Sequence, residues 1–303
     1  MTVRTNMPLG HEAIAAKGWL SAHKYLLLRR ASQVFFLVLF LLGPWFGLWI
    51  VQGTLAGSLT LGVLPLTDPF VLLQSLIAGH WPELTAAIGA VIVLVTYALV
   101  GGRVYCSWVC PINPVTDGAH WLHRKLGLQK GWQPKRGTRL WIMATVLIVS
   151  GLTGAIAWEL VNPITMLHRG LIFGMGFVWA MVAAIFLFDL LVSRHGWCGH
   201  VCPVGAFYGL VGSKAMLRVS AANRNACDDC MDCYAVCPEN HVISPALKGK
   251  DNPLILSPDC TNCGRCIDVC AEDVFKFTHR FDALTVAPPE STAAPQPRAS
   301  RPF

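Results

Sequence analysis

Four long stretches of this 303-residue chain are almost free of charged side chains, and this feature constrains the fold most strongly. They cover residues 31–51, 84–102, 140–158 and 170–190, and Asp189 is the single charged residue among them. About 20 residues of helix, at a rise of about 1.5 Å each, are enough to cross a bilayer. Only 14% of the chain is charged, against roughly a quarter in soluble domains. The sequence therefore predicts a membrane all-α domain with four transmembrane helices.

Lysine and arginine are unevenly placed around these stretches. They are concentrated in residues 1–30 and 103–139, whereas residues 52–83 contain none and 159–169 contain only Arg169. The positive-inside rule then places both termini in the cytoplasm of a bacterial cell, with several passes through the cytoplasmic membrane. The first stretch is too long, and begins too far into the chain, for a cleaved signal peptide. No nucleic-acid-binding motif accompanies the net charge of +7, so we expect no nucleic-acid partner.

The membrane domain contains an internal repeat. Cys106-Ser-Trp-Val-Cys110-Pro111 follows the second stretch, and Cys198-Gly-His-Val-Cys202-Pro203 follows the fourth, 92 residues later. In the outer connections, Asp68-Pro69 and Asn162-Pro163 are 94 residues apart. Each unit consists of a span, an outer re-entrant or interfacial segment, a second span and a C-x3-C-P motif. Because each unit crosses twice, the two copies share one orientation and form parallel repeats.

Eight of the twelve cysteines follow the spacing C-x2-C-x2-C-x3-C, which occurs twice between residues 227 and 270. This is the spacing of bacterial two-cluster ferredoxins, in which three close thiolates bind one cubane and the fourth cysteine binds the other. We therefore expect two [4Fe-4S] clusters in a small α+β domain. Cluster 1 is assigned to Cys227, Cys230, Cys233 and Cys270, and cluster 2 to Cys260, Cys263, Cys266 and Cys237. Disulfides are disfavoured on a cytoplasmic face, and zinc does not explain the repeated triple-plus-one spacing.

The four C-x3-C-P cysteines, Cys106, Cys110, Cys198 and Cys202, allow three interpretations. On a helix, residues i and i+4 share one face, so the two pairs together could supply four thiolates to a further iron-sulfur cluster or another soft metal. A redox-active dithiol and simple packing of small side chains at helix ends are the alternatives. The spacing alone does not choose among them.

Several polar residues near the spans are candidates for proton relay or for a quinone pocket, although solvated side chains at span ends are the ordinary interpretation. These residues are Asp68, Glu159, Asn162, His168 and Asp189. His120 and His123 are expected on the surface of the basic loop. The domain boundaries follow as an N-terminal arm, 1–30, a membrane domain, 31–220, a ferredoxin domain, 221–282, and a disordered tail, 283–303, whose end has five prolines.

The order of these motifs resembles the NapH family, the ferredoxin-type membrane proteins of periplasmic nitrate reductase systems. The resemblance rests on four spans, two C-x3-C-P motifs and two ferredoxin runs, and covers nearly the whole chain. It implies a quinol dehydrogenase subunit that works with the iron-sulfur protein NapG, with a c-type cytochrome or the nitrate reductase further along the route. MauN, NosR and CcoG share the layout, although NosR and CcoG are usually larger.

The leading hypothesis is thus an oxidoreductase subunit that is active in a complex, takes electrons from quinol and passes them through its clusters to a protein partner. The alternatives are an electron donor or maturation factor for another metalloenzyme, as the MauN and CcoG resemblance suggests, and a structural membrane anchor. The catalytic residues, the type of quinone and the terminal acceptor are not determined by the sequence.

Overall fold

The computed structural model describes residues 9–128, 132, 134–135, 137–249 and 252–282, so the tail 283–303 lies outside the described residues. Fourteen α-helices and five short strands are seen in these ranges. The helices are α1 His11–Lys17, α2 Trp19–Ala22, α3 Lys24–Phe46, α4 Pro69–Ile77, α5 Leu84–Val100, α6 Val104–Trp108, α7 Asn113–Lys125, α8 Thr138–Thr153, α9 Pro163–Phe173, α10 Gly176–Leu187, α11 Pro203–Val211, α12 Asp232–Val236, α13 Ile243–Lys248 and α14 Arg265–Asp268. The strands are β1 Val51–Thr54, β2 Gly57–Thr60, β3 Leu64–Thr67, β4 Leu217–Ser220 and β5 Lys276–His279.

Helix α3 is the one helix, among the described residues, that is long and apolar enough to cross a membrane. The predicted span, 31–51, lies too far along the chain, because the helix begins at Lys24 and ends at Phe46. It ends where Gly47 adopts a φ of 72°, and the amides of Gly47 and Leu48 bond back to the carbonyls of Gly43 and Leu42. This left-handed cap favours glycine and satisfies carbonyls that the helix leaves free.

The uncharged run after α3 forms a sheet, which the all-α prediction missed. Strands β1, β2 and β3 pair antiparallel in chain order, with Val51 opposite Thr60 and Gly57 opposite Thr67. The residues are apolar enough to resemble part of a membrane span. However, Gly53, within β1, and Gly62, in the turn before β3, adopt positive φ angles that a helix could not contain. The first outer connection is therefore a β-meander that leads into α4.

The two Asx-Pro motifs begin equivalent helices, as the repeat predicts. The side chains of Asp68 and Asn162 accept hydrogen bonds from the amides of Phe70 and Ile164, at 2.9 and 3.1 Å, and a proline follows at the first helical position. Such N-caps satisfy amides that the first turn cannot pair.

The predicted fourth span, 170–190, was wrong in its boundaries. Residues 163–173 form the separate helix α9, which ends at Gly174, and α10 starts at Gly176 and continues through a π-helical turn, Phe188–Val192. The predicted second and third spans correspond to α5 and α8, which have 17 and 16 residues. These are shorter apolar helices than a full span requires by length alone.

The C-terminal ferredoxin domain has the expected α+β character. Strands β4 and β5 pair antiparallel, and short helices α12, α13 and α14 pack around a core that includes Val219, Ile243 and Phe275. Six of the eight ferredoxin-run cysteines lie against this core or within it. A domain this small has a limited apolar core, so bound clusters would contribute much of its stability.

The N-terminal arm and the start of α3 are attached to the ferredoxin domain. The carboxylate of Asp268 accepts hydrogen bonds from the amides of Tyr25 and Leu26, at 3.1 and 2.9 Å. Nearby, the ammonium of Lys17 donates to the carbonyl of Ile267 at 2.8 Å, and Asp232 accepts from the amide of Gly10. The basic arm is therefore a structural part of the domain that follows it by more than 200 residues.

Candidate iron-sulfur centres

Two cavities in the ferredoxin domain are each surrounded by four cysteines. The first has a volume of about 350 Å³, and its lining includes Cys227, Cys230, Cys233 and Cys270. The second has a volume of about 370 Å³, and its lining includes Cys237, Cys260, Cys263 and Cys266. The structure thus brings these cysteines together in the two sets that the spacing predicts, with the fourth member of each set crossing over from the other run. That each set ligates a cluster remains a prediction.

The C-x3-C-P cysteines also come together, between the two repeats. Each of the six pairs that these four residues can form is close enough for electrostatic interaction. Cys110 is buried and the other three are half-buried. The structure therefore gathers four thiols from distant parts of the chain at the junction between the apolar helices and the ferredoxin domain.

The backbone around both motifs is the same, but it is not the continuous α-helix that the sequence suggested. The amide of Cys110 donates to the carbonyl of Tyr105 at 3.0 Å, and the amide of Cys202 donates to the carbonyl of Trp197 at 2.9 Å. These bonds span five residues, and Trp197–Val201 forms a π-helical turn. Such widened turns often occur at functional sites. The repeat thus extends to individual hydrogen bonds.

The spacing of the sulfur atoms bears on what they could bind. Four thiolates on one zinc ion, with bonds of about 2.3 Å, lie about 3.8 Å apart. Among the described residues, only Glu239, His241 and Asp259 form a group of three or more metal-ligating side chains whose atoms all lie within 4.8 Å of one another. No three of the cysteine sulfurs meet that limit, in the ferredoxin sets or in the C-x3-C-P set.

Arg103 connects the C-x3-C-P cysteines to the ferredoxin domain. Its buried guanidinium donates to the carbonyls of Cys198 and Asp259, at 3.0 and 2.7 Å, and to the carboxylate of Glu239, at 2.9 Å. Arg139 contributes a second guanidinium, paired with Asp259 and 3.6 Å from Glu239. Asp259 immediately precedes Cys260, and Glu239 follows Cys237 by two residues. The side chain of Arg103 therefore connects the backbone of the second C-x3-C-P motif, at Cys198, to the backbone beside Cys260 in the ferredoxin domain.

A close approach of two glycines allows this bridge. A Cβ on Gly102 would overlap the carbonyl oxygen of Tyr208, and a Cβ on Gly212 would overlap the backbone of Gly102. The end of α5 therefore lies directly against the end of α11. This contact brings Arg103 and Cys106 to the same interface as Cys198.

A second group of arginines lies beside the Cys237 set. The carboxylate of Asp117 pairs with Arg30 and Arg265, and lies 3.5 Å from Nη2 of Arg29. Arg29 is only 1% exposed, and its Nε and Nη2 atoms make no hydrogen bond with any described residue. Its charge nevertheless interacts with that of Cys263. A [4Fe-4S] cluster held by four thiolates carries net negative charge, which a buried cation without a full set of partners would balance. The residues around this set are therefore compatible with the predicted cluster.

Most of the polar candidates near the spans are buried, which corrects the expectation of solvated side chains. Asp68, Asn162, His168 and Asp189 all have little exposure, and only Glu159 is half-buried. The hydroxyl of Tyr208 donates to Asp68 at 3.2 Å, and the amide of Trp197 donates to Asp189 at 2.8 Å. The bond between Tyr208 and Asp68 therefore connects the two repeats, whereas that between Trp197 and Asp189 lies within the second repeat.

The expectation that His120 and His123 lie on the surface was wrong. Both are buried, because α7 packs against the end of α10 instead of standing free as a loop. His123 Nδ1 lies 2.8 Å from the carbonyl of Leu190.

The sequence reasoning also missed the charged residues that surround the cysteines, namely Arg29, Arg103, Asp117, Glu239, Asp259 and Arg265. Their only sequence signal is position, since Arg103, Glu239, Asp259 and Arg265 each lie within three residues of a motif cysteine.

Comparisons with known proteins agree with the cysteine pattern. The family model described as "4Fe-4S binding domain" matches residues 83–129 and again 173–219, which are the two repeats with their C-x3-C-P motifs. The model described as "4Fe-4S dicluster domain" matches residues 226–274. No solved structure is significantly similar to the chain.

Curated relatives are similar over nearly the whole chain. The "Methylamine utilization ferredoxin-type protein MauN" of Methylorubrum extorquens is 55% identical, over 90% of this chain and 96% of its own length. MauN of Paracoccus denitrificans is 56% identical, over 89% and 96%. The "Ferredoxin-type protein NapH" of Escherichia coli is 49% identical, over 90% and 96%. The chain therefore belongs to the family of ferredoxin-type iron-sulfur electron-transfer proteins that includes NapH and MauN.

Proposed function

We propose that this protein is a membrane-bound subunit that oxidises quinol and passes the electrons through [4Fe-4S] clusters to a soluble redox partner. The observation that carries the proposal is the Arg103 bridge, which joins the cysteines beside the apolar helices to those of the ferredoxin domain. Quinol oxidation releases two electrons and two protons, and a cubane accepts one electron at a time. A row of adjacent clusters suits this conversion of a two-electron donor into single-electron steps.

The ligand assignment follows the two cavities. We propose that one cubane is held by Cys227, Cys230, Cys233 and Cys270, and the other by Cys237, Cys260, Cys263 and Cys266. The buried, incompletely paired Arg29 beside Cys263 supports the second assignment, because four thiolates and a cubane carry net negative charge.

We assign a third cluster to Cys106, Cys110, Cys198 and Cys202. Two observations support it over a dithiol or simple packing. All four thiols are mutually close, and the family model that matches both copies is described as a 4Fe-4S binding domain. Iron analysis tests the assignment, since two cubanes hold about eight iron atoms per chain and three hold about twelve.

The membrane location is supported by exposed apolar side chains. All four long apolar helices carry them, including Phe35, Val91, Leu152 and Phe177, of which Leu152 is 82% and Phe177 70% exposed. Such extensive exposure marks a lipid or protein interface. Helix α3 is about 35 Å long, whereas the other three apolar segments measure about 24 to 26 Å and need tilt or local thinning to span about 30 Å.

The predicted topology is supported by the contacts of the basic segments. The N-terminal arm, the segment after α5 and the ferredoxin domain all contact one another. The positive-inside rule assigns all three regions to the cytoplasm, and their mutual contacts are compatible with a position on the same side of the membrane.

The relatives point to two redox systems. The resemblance to NapH implies a route through a NapG-like iron-sulfur protein towards a periplasmic nitrate reductase, with a c-type cytochrome as a later carrier. The identity of 55 to 56% with the two MauN proteins favours methylamine utilisation, in which this chain would serve as an electron donor during enzyme maturation. Deletion of the gene, followed by growth on nitrate without oxygen and on methylamine with oxygen, distinguishes the two.

Anaerobic reduction by quinol tests the central proposal. The protein, reconstituted in nanodiscs with its iron-sulfur partner, is mixed with a soluble ubiquinol or menaquinol analogue, and cluster reduction is followed by electron paramagnetic resonance. We expect quinol to reduce the clusters of the wild-type protein, and dithionite to reduce them in every variant. A protein with full iron content that dithionite reduces, and that neither quinol reduces, would overturn the proposal.

A further inference from the structure

A polar cavity of about 470 Å³ lies where the two repeats meet the ferredoxin domain, beside the Cys237 set. Helix α7 contributes His120, and the turn after α10 contributes Arg194 and His195. The remaining lining residues are His200, Cys237, Pro238, Glu239, Asn240 and His241. The cavity therefore borders a predicted cluster ligand, Cys237, but its own walls are mainly imidazole and guanidinium groups.

Two of the lining imidazoles have unsatisfied polar atoms. His120 is 2% exposed and His195 is 4% exposed, and His120 Nδ1 and His195 Nε2 make no hydrogen bond with any residue that the structure describes. Their ring centroids lie 4.3 Å apart. His195 also has a φ of 52°, an unusual backbone conformation for a residue other than glycine. A buried polar atom without a partner is costly, so a ligand in the cavity would recover that free energy.

The charge around the cavity favours an anion. Neither Arg124 nor Arg194 forms a salt bridge with any described residue. The pKa of His120 is lowered to about 3, mainly by burial and secondarily by the charge of Arg124. The pKa of His195 is lowered well below its usual value, mainly by burial and secondarily by His120. Both rings are neutral, and a neutral ring carries one N–H. That of His120 lies on Nε2, 3.4 Å from the carbonyl of Ala235, so the unsatisfied Nδ1 of His120 can only accept, whereas Nε2 of His195 can donate. Glu239 is already neutralised by Arg103 and Arg139.

We propose that this cavity binds a phosphate oxyanion, held by Arg194 and by the N–H of His195. The ligand is either inorganic phosphate or the phosphodiester of an anionic lipid. A lipid could enter beside Leu191 and Val192, which are exposed and end the apolar helix just before Arg194. Basic cavities at the cytoplasmic ends of membrane helices are suited to anionic headgroups. The site is separate from the proposed quinol reaction.

Calorimetric titration of the cluster-loaded protein with inorganic phosphate tests the site, with the protein in phosphatidylcholine nanodiscs. We expect saturable binding, weakened about tenfold or more by Arg194→Gln and by His195→Asn, because each removes a hydrogen bond to a charged ligand. Asparagine tolerates the left-handed backbone of residue 195, so this variant should fold. Lys214→Gln is the matched control, since it removes one exposed positive charge away from the cavity, and it should bind as the wild type does.

Nanodiscs that contain phosphatidylglycerol distinguish the two sources. If a lipid headgroup occupies the cavity, they should abolish phosphate binding to the wild type; if free phosphate is the ligand, binding should be unchanged. Either result supports the site. The proposal is overturned if the wild type in phosphatidylcholine does not bind phosphate, or if Arg194→Gln and His195→Asn, with full iron content, bind it as tightly as Lys214→Gln.

Discussion

The buried charge of Arg29 should raise the reduction potential of cluster 2, and Arg29→Met removes that charge. The side chain is 1% exposed and interacts electrostatically with Cys263. Two unit charges roughly 6 to 10 Å apart, in an effective dielectric of about 20, interact by about 1.7 to 2.8 kcal/mol. For a one-electron couple this corresponds to about 70 to 120 mV. The reduced cluster carries one more negative charge, so loss of the cation should lower the potential by that amount.

A redox titration followed by electron paramagnetic resonance measures this shift. Arg30→Met is the matched control, because Arg30 pairs with the same carboxylate, that of Asp117, but its side chain is 30% exposed and more strongly screened. Asp117 keeps two arginine partners in either variant, so both should fold. We expect a shift of at most about a third as much for Arg30→Met. Equal shifts in the two variants, or none in Arg29→Met, would refute the assignment of this charge to cluster 2.

Three further changes test other parts of the structure. Cys106→Ser should lower the iron content by about four atoms per chain while the ferredoxin signals remain, as measured by metal analysis with electron paramagnetic resonance; unchanged iron would contradict a third cluster. Arg103→Met should lower the free energy of unfolding by about 3 kcal/mol, because buried Glu239 keeps only the more distant Arg139 as a partner. Denaturant titrations measure this loss, and Arg103→Lys should lose less. Asp268→Ala should cost about 1 to 3 kcal/mol, because it removes the acceptor for two amides of the N-terminal arm, and should speed proteolysis of that arm; an unchanged cleavage rate would contradict this role.

The cysteine pairing and the repeat could be predicted because local spacing determines them. Three thiolates separated by two residues can surround one cubane, and the fourth cannot reach it, so the crossed sets follow from chain length alone. Similarly, Asp68 and Asn162 each precede a proline, and this local pattern is enough to begin a helix. No tertiary contact is needed for either inference.

The errors have two origins. The apolar run before Asp68 resembles a membrane span by composition, but its positive-φ glycines and local strand pairing make it a meander. Elsewhere, distant contacts override the local pattern. Arg29 belongs to a basic arm that the positive-inside rule treats as solvated, yet the ferredoxin domain covers it. His120 is likewise covered by the end of α10 and by the ferredoxin domain, and both outcomes depend on segments more than 60 residues away.

The two ferredoxin cavities differ in their electrostatic surroundings, and this gives the electron route a direction. Near the first, Asp228 and Asp229 are exposed beside Cys227 and Cys230, and Lys248 pairs with only one of them. Near the second, three arginines, Arg29, Arg30 and Arg265, surround the single carboxylate of Asp117. Positive charge stabilises a reduced cluster and negative charge destabilises it, so cluster 2 should have the higher potential.

On the proposed route, electrons that enter from the C-x3-C-P side would reach the higher-potential cluster first, across the interface that Arg103 bridges. Transfer onward to cluster 1 is uphill, and a partner of higher potential that docks at the exposed cluster must draw the electrons out. The acidic residues around cluster 1 favour a partner with a basic docking face. A direct consequence is that Asp228→Asn should raise the potential of cluster 1 alone and weaken partner binding most strongly at low salt. A shift in both clusters, or binding that does not depend on salt, would contradict this direction of flow.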